Sequence, residues 1–297
     1  MEMHQLRYFV KVAELRNFTR AAESCNVSQP SLSQQIGKLE RDLGYPLFER
    51  LGRKIVLTDS GEILYEHASR ILSHVEEAEV QIQDAAEMGR GKVVIGAIPT
   101  IAPYLLPGIL HQFTTDYPKA HVEVHELVTA DAIRKCLESE IDLILLALPF
   151  SEDGLRVESL FEEELFVVLA KNHPLAGKER LLARDIQTEQ FVLLNEAHCL
   201  SENVLSFCNQ KSFTPTVTCQ GSQLQTIQEL VSVGKGISLI PEMARQLDRS
   251  TRRVYRSLAG KQPTRKIVMA WNRNRFQSQP ARNLASTIRK ICGEMNG

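Results

Sequence analysis

Phe18-Thr19-Arg20-Ala21-Ala22 and, a few residues on, Ser28-Gln29-Pro30-Ser31-Leu32-Ser33-Gln34-Gln35-Ile36 decide how this 297-residue chain is read. In the first block Ala21, Ala22 and the following Cys25 share a helical face, and Asn26-Val27-Ser28 breaks the helix with a polar turn around one apolar plug. Ser28 can cap a third helix and Pro30 is tolerated in its first turn, while Leu32, Ile36, Leu39 and Leu43 form its inward stripe. Gln29, Ser31, Ser33, Gln34 and Lys38 are left outward. Upstream, Leu6, Phe9, Val10 and Ala13 fall at i, i+3, i+4 and i+7, which predicts the first helix. Downstream, residues 47–57 read as a hairpin with a basic, glycine-containing tip. A tight turn and a helix whose exposed start is rich in amides and hydroxyls suit a DNA major groove. Arg50, Arg53 and Lys54 could grip the flanking phosphates. On an isolated helix such a face would be ordinary solvent exposure; the basic hairpin behind it favours DNA.

The bulk numbers agree with more than one domain, since 43% hydrophobic residues in a chain this long exceed the needs of a single core. The net charge of −1 hides a basic head: residues 1–58 hold nine Lys/Arg against six Asp/Glu. No run approaches the roughly 20 apolar residues of a membrane span, and Met1-Glu2-Met3-His4-Gln5 lacks a basic region followed by an apolar one. The expectation is a cytoplasmic protein without membrane association. The six cysteines (25, 136, 199, 208, 219, 292) show no CxxC spacing or paired His ligands, which argues against a disulfide framework or a zinc site and leaves redox activity as the functional role for a cysteine; no metal and no cofactor is expected.

A capping-box pattern at Thr58 or Asp59 with Glu62 opens a long helix. Leu64, Ala68, Ile71, Val75, Ala78, Ile82 and Ala85 repeat in 4-3 steps, a heptad seam that predicts a homodimer through this helix. From Asp59 to Met88 it would run about 45 Å, and Gly89-Arg90-Gly91 would end it as a joint. Beyond 92, strand-like runs at 93–98, 122–127, 143–148, 165–170, 191–194 and 237–240 alternate with helical patterns, implying α/β layers. Thr100 and Thr129 each follow a strand and precede a helix, where a hydroxyl could face a ligand cleft or serve as a plain N-cap. Val233-Gly234-Lys235-Gly236 lacks the spacing of a nucleotide-binding loop and reads as a turn.

Together with Leu47-Phe48-Glu49-Arg50, the two opening motifs resemble the LysR-type transcriptional regulators. That resemblance implies a winged helix-turn-helix at 1–58 (motif about 18–37), a linker helix at 59–91 and a regulatory domain at 92–297. The last would be a two-lobed, periplasmic-binding-protein-like α/β domain, with lobe I at 92–162 and 268–297 and lobe II at 163–267. It further implies promoter DNA and RNA polymerase as partners, a homotetramer, and no enzymatic activity.

Within the family, His198-Cys199-Leu200, Phe207-Cys208, Pro99-Thr100, Thr129 and 103–107 are similar to the peroxide-sensing members, which act as activators. The similarity implies a peroxidatic Cys199, a resolving Cys208, Thr100, Thr129 and His198 around the peroxide, and a thiol reductant such as glutaredoxin or thioredoxin. Placed beside His198 and ahead of a helix, Cys199 is expected to have a lowered pKa. Nine helical residues separate the sulfurs by about 13.5 Å, so bonding them would require the helix to unwind. Thr218, where these relatives often have a nearby histidine, and Arg265-Lys266, where they often have two arginines, depart from the pattern. Cys25, Cys136 and Cys292 fit apolar helical faces. The competing reading is a LysR-type regulator whose interlobe cleft binds a small metabolite; a thiol peroxidase and a solute-binding transport protein fit less well.

Overall fold

Asn17 and Ser28 mark where the second and third helices begin, each turning a side-chain oxygen onto a backbone N–H three residues on, that of Arg20 at 3.1 Å and of Ser31 at 3.4 Å. The computed structural model describes residues 1–51, 54–86, 91–195 and 199–294, and the chain falls into two units, Met1–Ala85 and Ala86–Gly297.

The first unit contains α1 (Met3–Leu15), α2 (Phe18–Ser24) and α3 (Gln29–Leu43), then β1 (Phe48–Leu51) paired antiparallel with β2 (Lys54–Leu57), then α4 (Asp59–Ala86). Val12, Ala21, Ala22, Leu32 and Ile36 form one small core, and Leu6, Phe9, Val10, Leu39, Leu47 and Ala68 another. Phe48 joins them, its ring 5.2 Å from that of Phe9 and 5.7 Å from that of Phe18. Leu43, expected inward, is 36% exposed, because the helix stops beside it at Gly44, whose φ of 80° turns the chain away. Glu40 ties α3 to the hairpin by accepting from the N–H groups of Leu47 and Phe48.

Thr58, rather than Asp59, caps α4: its hydroxyl accepts from the Gly61 N–H at 3.0 Å and donates to the Pro46 carbonyl at 2.7 Å. A side chain at Gly61 would place a Cβ 2.2 Å from the Leu47 oxygen, so only glycine lets the helix seat here. The heptad residues divide. Ala68 is buried against the head with Leu64, Tyr65 and Leu72 packed around it, while Ile71 is exposed. The expected stretch of helix at 87–88 and the glycine joint at 89–90 lie outside the described residues.

The second unit begins β3 (Gly91–Ala97), α5 (Ala102–Asp116), β4 (Ala120–Glu126), α6 (Thr129–Leu137), β5 (Leu143–Ala147) and β6 (Leu155–Ala170). It continues β7 (Arg180–Leu181), α7 (Ala183–Ile186), β8 (Gln190–Leu194), α8 (Cys199–Gln210), β9 (Thr216–Gly221), α9 (Leu224–Ser232) and β10 (Ser238–Pro241). It ends α10 (Glu242–Leu247), β11 (Arg253–Leu258), β12 (Thr264–Asn272) and α11 (Gln279–Glu294). The main sheet runs β4-β3-β5-β12-β6-β11-β7, with β10 also on β6 and β8-β9 a separate parallel pair. Parallel β3 and β5 bury Val93, Ile95 and 143–147 as helix-covered strands do.

This is the two-lobed arrangement of the expected α/β class, with one core drawing on 93–161 and 267–292 and a second on 165–258. The long antiparallel strands β6 and β12 pass through both lobes. Sequence periodicity caught only the apolar end of β6, because Arg156, Glu158 and Glu162–Glu164 interrupt the rest. Two residues from the chain of lobe II, Cys199 and Met243, pack in the core of lobe I.

Candidate functional site

Cys199 is the first residue of α8, a free thiol 7% exposed and set into the lobe I core. Its helix is fastened at two points. The Ser201 hydroxyl donates to the Leu194 carbonyl at 2.6 Å, and the Asn203 amide reaches the Leu148 carbonyl of lobe I at 2.9 Å.

Thr129 is the first residue of α6, and its hydroxyl caps nothing; buried, it makes no well-formed hydrogen bond among the described residues. Its contact is a weak one with the Cys199 sulfur, which favours the thiolate. A buried hydroxyl left over in this way is a ready donor for a small polar guest. The Thr100 hydroxyl, equally buried, accepts from an Arg265 guanidinium nitrogen at 2.8 Å, and the Thr100 carbonyl accepts from another at 2.9 Å. Thr129 thus touches Cys199 directly, while Thr100 holds Arg265, whose charge Cys199 feels. His198 lies outside the described residues.

From sequence, Arg265 stood out only as half of the Arg265-Lys266 pair, with no role of its own. Only 1% exposed, it is the cation of this region, while the adjacent Lys266 is exposed. Its counter-charge is Glu163, bonded at 2.8 Å from a position 102 residues away, a separation that leaves no local pattern to find.

The expected lowering of the Cys199 pKa is corrected. Burial pushes the thiol above its ordinary value, and this outweighs the Arg265 charge, the Thr129 contact and the Ala147 backbone, which pull it down. Cys208 lies nine residues further along the same helix, fully buried in the lobe II core, where burial pushes it up to about 12. An α-helix separates such positions by about 13.5 Å, so the two sulfurs sit in different cores and cannot bond while α8 stays coiled.

The other cysteines behave as packed side chains. Cys136 and Cys292 are buried and pushed up to about 12 and about 11 by burial, and Cys25 packs half-buried beside the α2–α3 core. Thr218 turns its hydroxyl to the Lys235 and Phe191 carbonyls, so it spends its donor within lobe II. Cys219 is half-buried on β9.

On the head, Pro30, Ser31, Gln34 and Lys38 are exposed on α3 and Gln29 and Ser33 half-buried, while the Ser28 oxygen is committed to its cap. Gln35 turns the other way and accepts from Gln5. Arg50 and Lys54 stand on β1 and β2, paired with Ile55 and Leu51; Arg53 lies outside the described residues. No helix among the described residues is long and apolar enough to cross a membrane.

Residues 3–62 match the bacterial regulatory helix-turn-helix protein family of lysR type, and residues 86–293 match the LysR substrate binding domain. A hydrogen peroxide-inducible genes activator from Pectobacterium carotovorum is 33% identical across 98% of this chain and 96% of its own. A full-length OxyR variant from Pseudomonas aeruginosa superposes with a TM-score of 0.78 at 31% identity, covering 97% of this chain and 95% of that one. A hydrogen-peroxide-bound OxyR mutant from Corynebacterium glutamicum gives a TM-score of 0.65 at 29% identity, over 99% and 93%. With its helix-turn-helix head and two-lobed second unit, the chain belongs to the LysR family of bacterial transcriptional regulators.

Proposed function

We propose that this regulator senses hydrogen peroxide at Cys199 and reports it through a Cys199–Cys208 disulfide. The observation that carries the reading is the Cys199 sulfur at the coiled end of α8, with the uncommitted Thr129 hydroxyl against it and the Arg265 charge in reach. The thiolate attacks one peroxide oxygen; an S–O bond forms, the O–O bond breaks, and hydroxide leaves, helped by hydrogen bonds from Thr129 and His198, with Thr100 held beside them. The sulfur is oxidised and the peroxide reduced. The Cys208 sulfur then displaces water from the sulfenic acid, after α8 uncoils and releases Asn203 from Leu148. A thiol reductant of the glutaredoxin or thioredoxin kind returns both thiols.

The output is a change in grip on promoter DNA. Gln29, Pro30, Ser31, Ser33 and Gln34 face the groove behind a helix capped by Ser28, and Arg50, Arg53 and Lys54 hold the backbone. Pairing through α4 gives a homodimer and further association a homotetramer, which activates by engaging RNA polymerase in the cytoplasm, itself without enzymatic turnover. The division at 1–58, 59–91 and 92–297 goes with this reading, as do the lobe limits given above. Relatives that respond to or bind hydrogen peroxide support it.

The test is promoter footprinting before and after stoichiometric peroxide, with Cys199→Ser as control. A shifted footprint in the wild type alone is expected; an unchanged wild-type footprint sinks the reading. A second reading draws on a cavity of about 440 Å³ between the lobes, lined by Pro99, Tyr104, Glu126, Gln223, Gln228 and Arg253, which could take a small metabolite. Thermal shift on adding metabolites, with full response retained in Cys199→Ser, would favour it.

A further inference from the structure

Of the three consecutive glutamates 162–164 on β6, Glu162 is exposed, Glu164 half-buried, and Glu163 alone points fully inward, 5% exposed. It faces Arg265 directly across the β6–β12 pairing. Both of its oxygens are committed: one accepts from Arg265 Nε at 2.8 Å, the other from the Met243 backbone N–H of α10 at 3.0 Å. Arg265 is then held along both edges, Nε on Glu163 and its two terminal nitrogens on Thr100. A guanidinium is planar, so fixing one edge aims the other.

We infer that Glu163 is a positioning residue for the Cys199 site: it fixes Arg265 against Thr100, whose chain neighbours Ile98 and Ile101 share the core in which Cys199 packs. The inference rests on the reading that Cys199 is the reacting group. Without Glu163 the buried cation would keep only the neutral oxygens of Thr100 and would turn toward water. The sulfur would lose a charge that favours its ionised form. The charged groups it feels are Arg265 and, in the opposite sense, Glu202 on its own helix. Around Arg265 stand Glu163 and the Tyr104 phenol, and Tyr104 in turn feels Asp248 and Glu126. With Glu163 gone, nothing in that set replaces the aiming contact.

The experiment is the pH profile of Cys199 alkylation by iodoacetamide in the full-length protein, read on the peptide carrying residue 199. The thiolate carbon–sulfur bond forms as iodide leaves, so the rate follows the ionised fraction and peroxide is not involved. Glu163→Ala should move the midpoint up by about one pH unit, making alkylation near neutrality about tenfold slower. Glu163→Asp, which keeps the charge and both acceptor oxygens, should recover most of the loss. A midpoint that stays put in folded Glu163→Ala, or that falls, overturns the inference; a fall would make Glu163 a counter-charge that damps Arg265. Should Glu163→Ala fail to fold by circular dichroism, Glu163→Gln is read by the same criterion. Peroxide consumption measured on the same proteins separates the two claims. A wild type inert to peroxide whose alkylation still responds to Glu163 loses the sensing role and keeps the positioning one.

Discussion

The two ends of α8 hold the same functional group in opposite surroundings. At the N-terminal end Cys199 sits in the core of one lobe with a threonine hydroxyl, a backbone group and a guanidinium charge in contact or reach. At the other end Cys208 is sealed in the core of the second lobe, and burial dominates its environment. A thiol with polar neighbours can ionise and attack; a thiol without them waits until its helix opens. On the proposed reading, this packing would set the order of chemistry, first Cys199 and then Cys208.

The largest effect expected from breaking this asymmetry is loss of the product. Cys199→Ser should abolish both peroxide consumption and the linked 199–208 peptide. Cys208→Ser should consume one equivalent of peroxide and stop at a sulfenic acid trapped by dimedone, both read by mass spectrometry. Next, Arg265→Met leaves the Glu163 carboxylate buried without its partner and should cost about 3–5 kcal/mol in a denaturant titration. In the same variant alkylation should slow at Cys199 and stay unchanged at Cys208.

Smaller effects separate the ends further. Cys208→Ser places a hydroxyl among apolar neighbours and should cost about 1–3 kcal/mol, whereas Cys199→Ser, with polar groups beside it, should cost less than about 1 kcal/mol. Equal costs would contradict the contrast. The folded-state pKa of Cys208 lies above its unfolded value, so its contribution is present below about pH 9 and is lost as pH rises toward about 12. Alkaline destabilisation over that window should be shallower in Cys208→Ala. The smallest expected change in stability, within about 0.5 kcal/mol, is that of Thr129→Val, which removes a hydroxyl without a well-formed partner; its peroxide rate should nevertheless fall, measured by stopped flow.

Much of the head was legible because its signals are local. Asn26-Val27-Ser28, the Ser28 cap and the spacing of Leu32, Ile36 and Leu39 all act within a few residues of one another, and the structure places them as that spacing requires. The second unit was legible as alternating strands and helices. What escaped depends on distant partners. The first half of β6, rich in glutamate, is a strand because β12 pairs with it. The role of Arg265 follows from contacts with residues 102 and 165 positions away. The pKa direction at Cys199 was misjudged for the same reason, since neighbours in sequence announce charge while only tertiary packing reveals burial.

The seating of α4 on the head carries a consequence for operator choice. Ala68 and its neighbours fuse the first turns of the linker to the DNA-binding body, and the helix continues to Ala86 for 28 residues in all. In the proposed homodimer it would work as a handle about 42 Å long. Tilting the handle by about 5° swings its far end by roughly 4 Å, close to the ~3.4 Å rise of one base step. Modest angular differences between two such handles would thus be geared into a choice between half-site spacings, with no change in the residues that touch the bases.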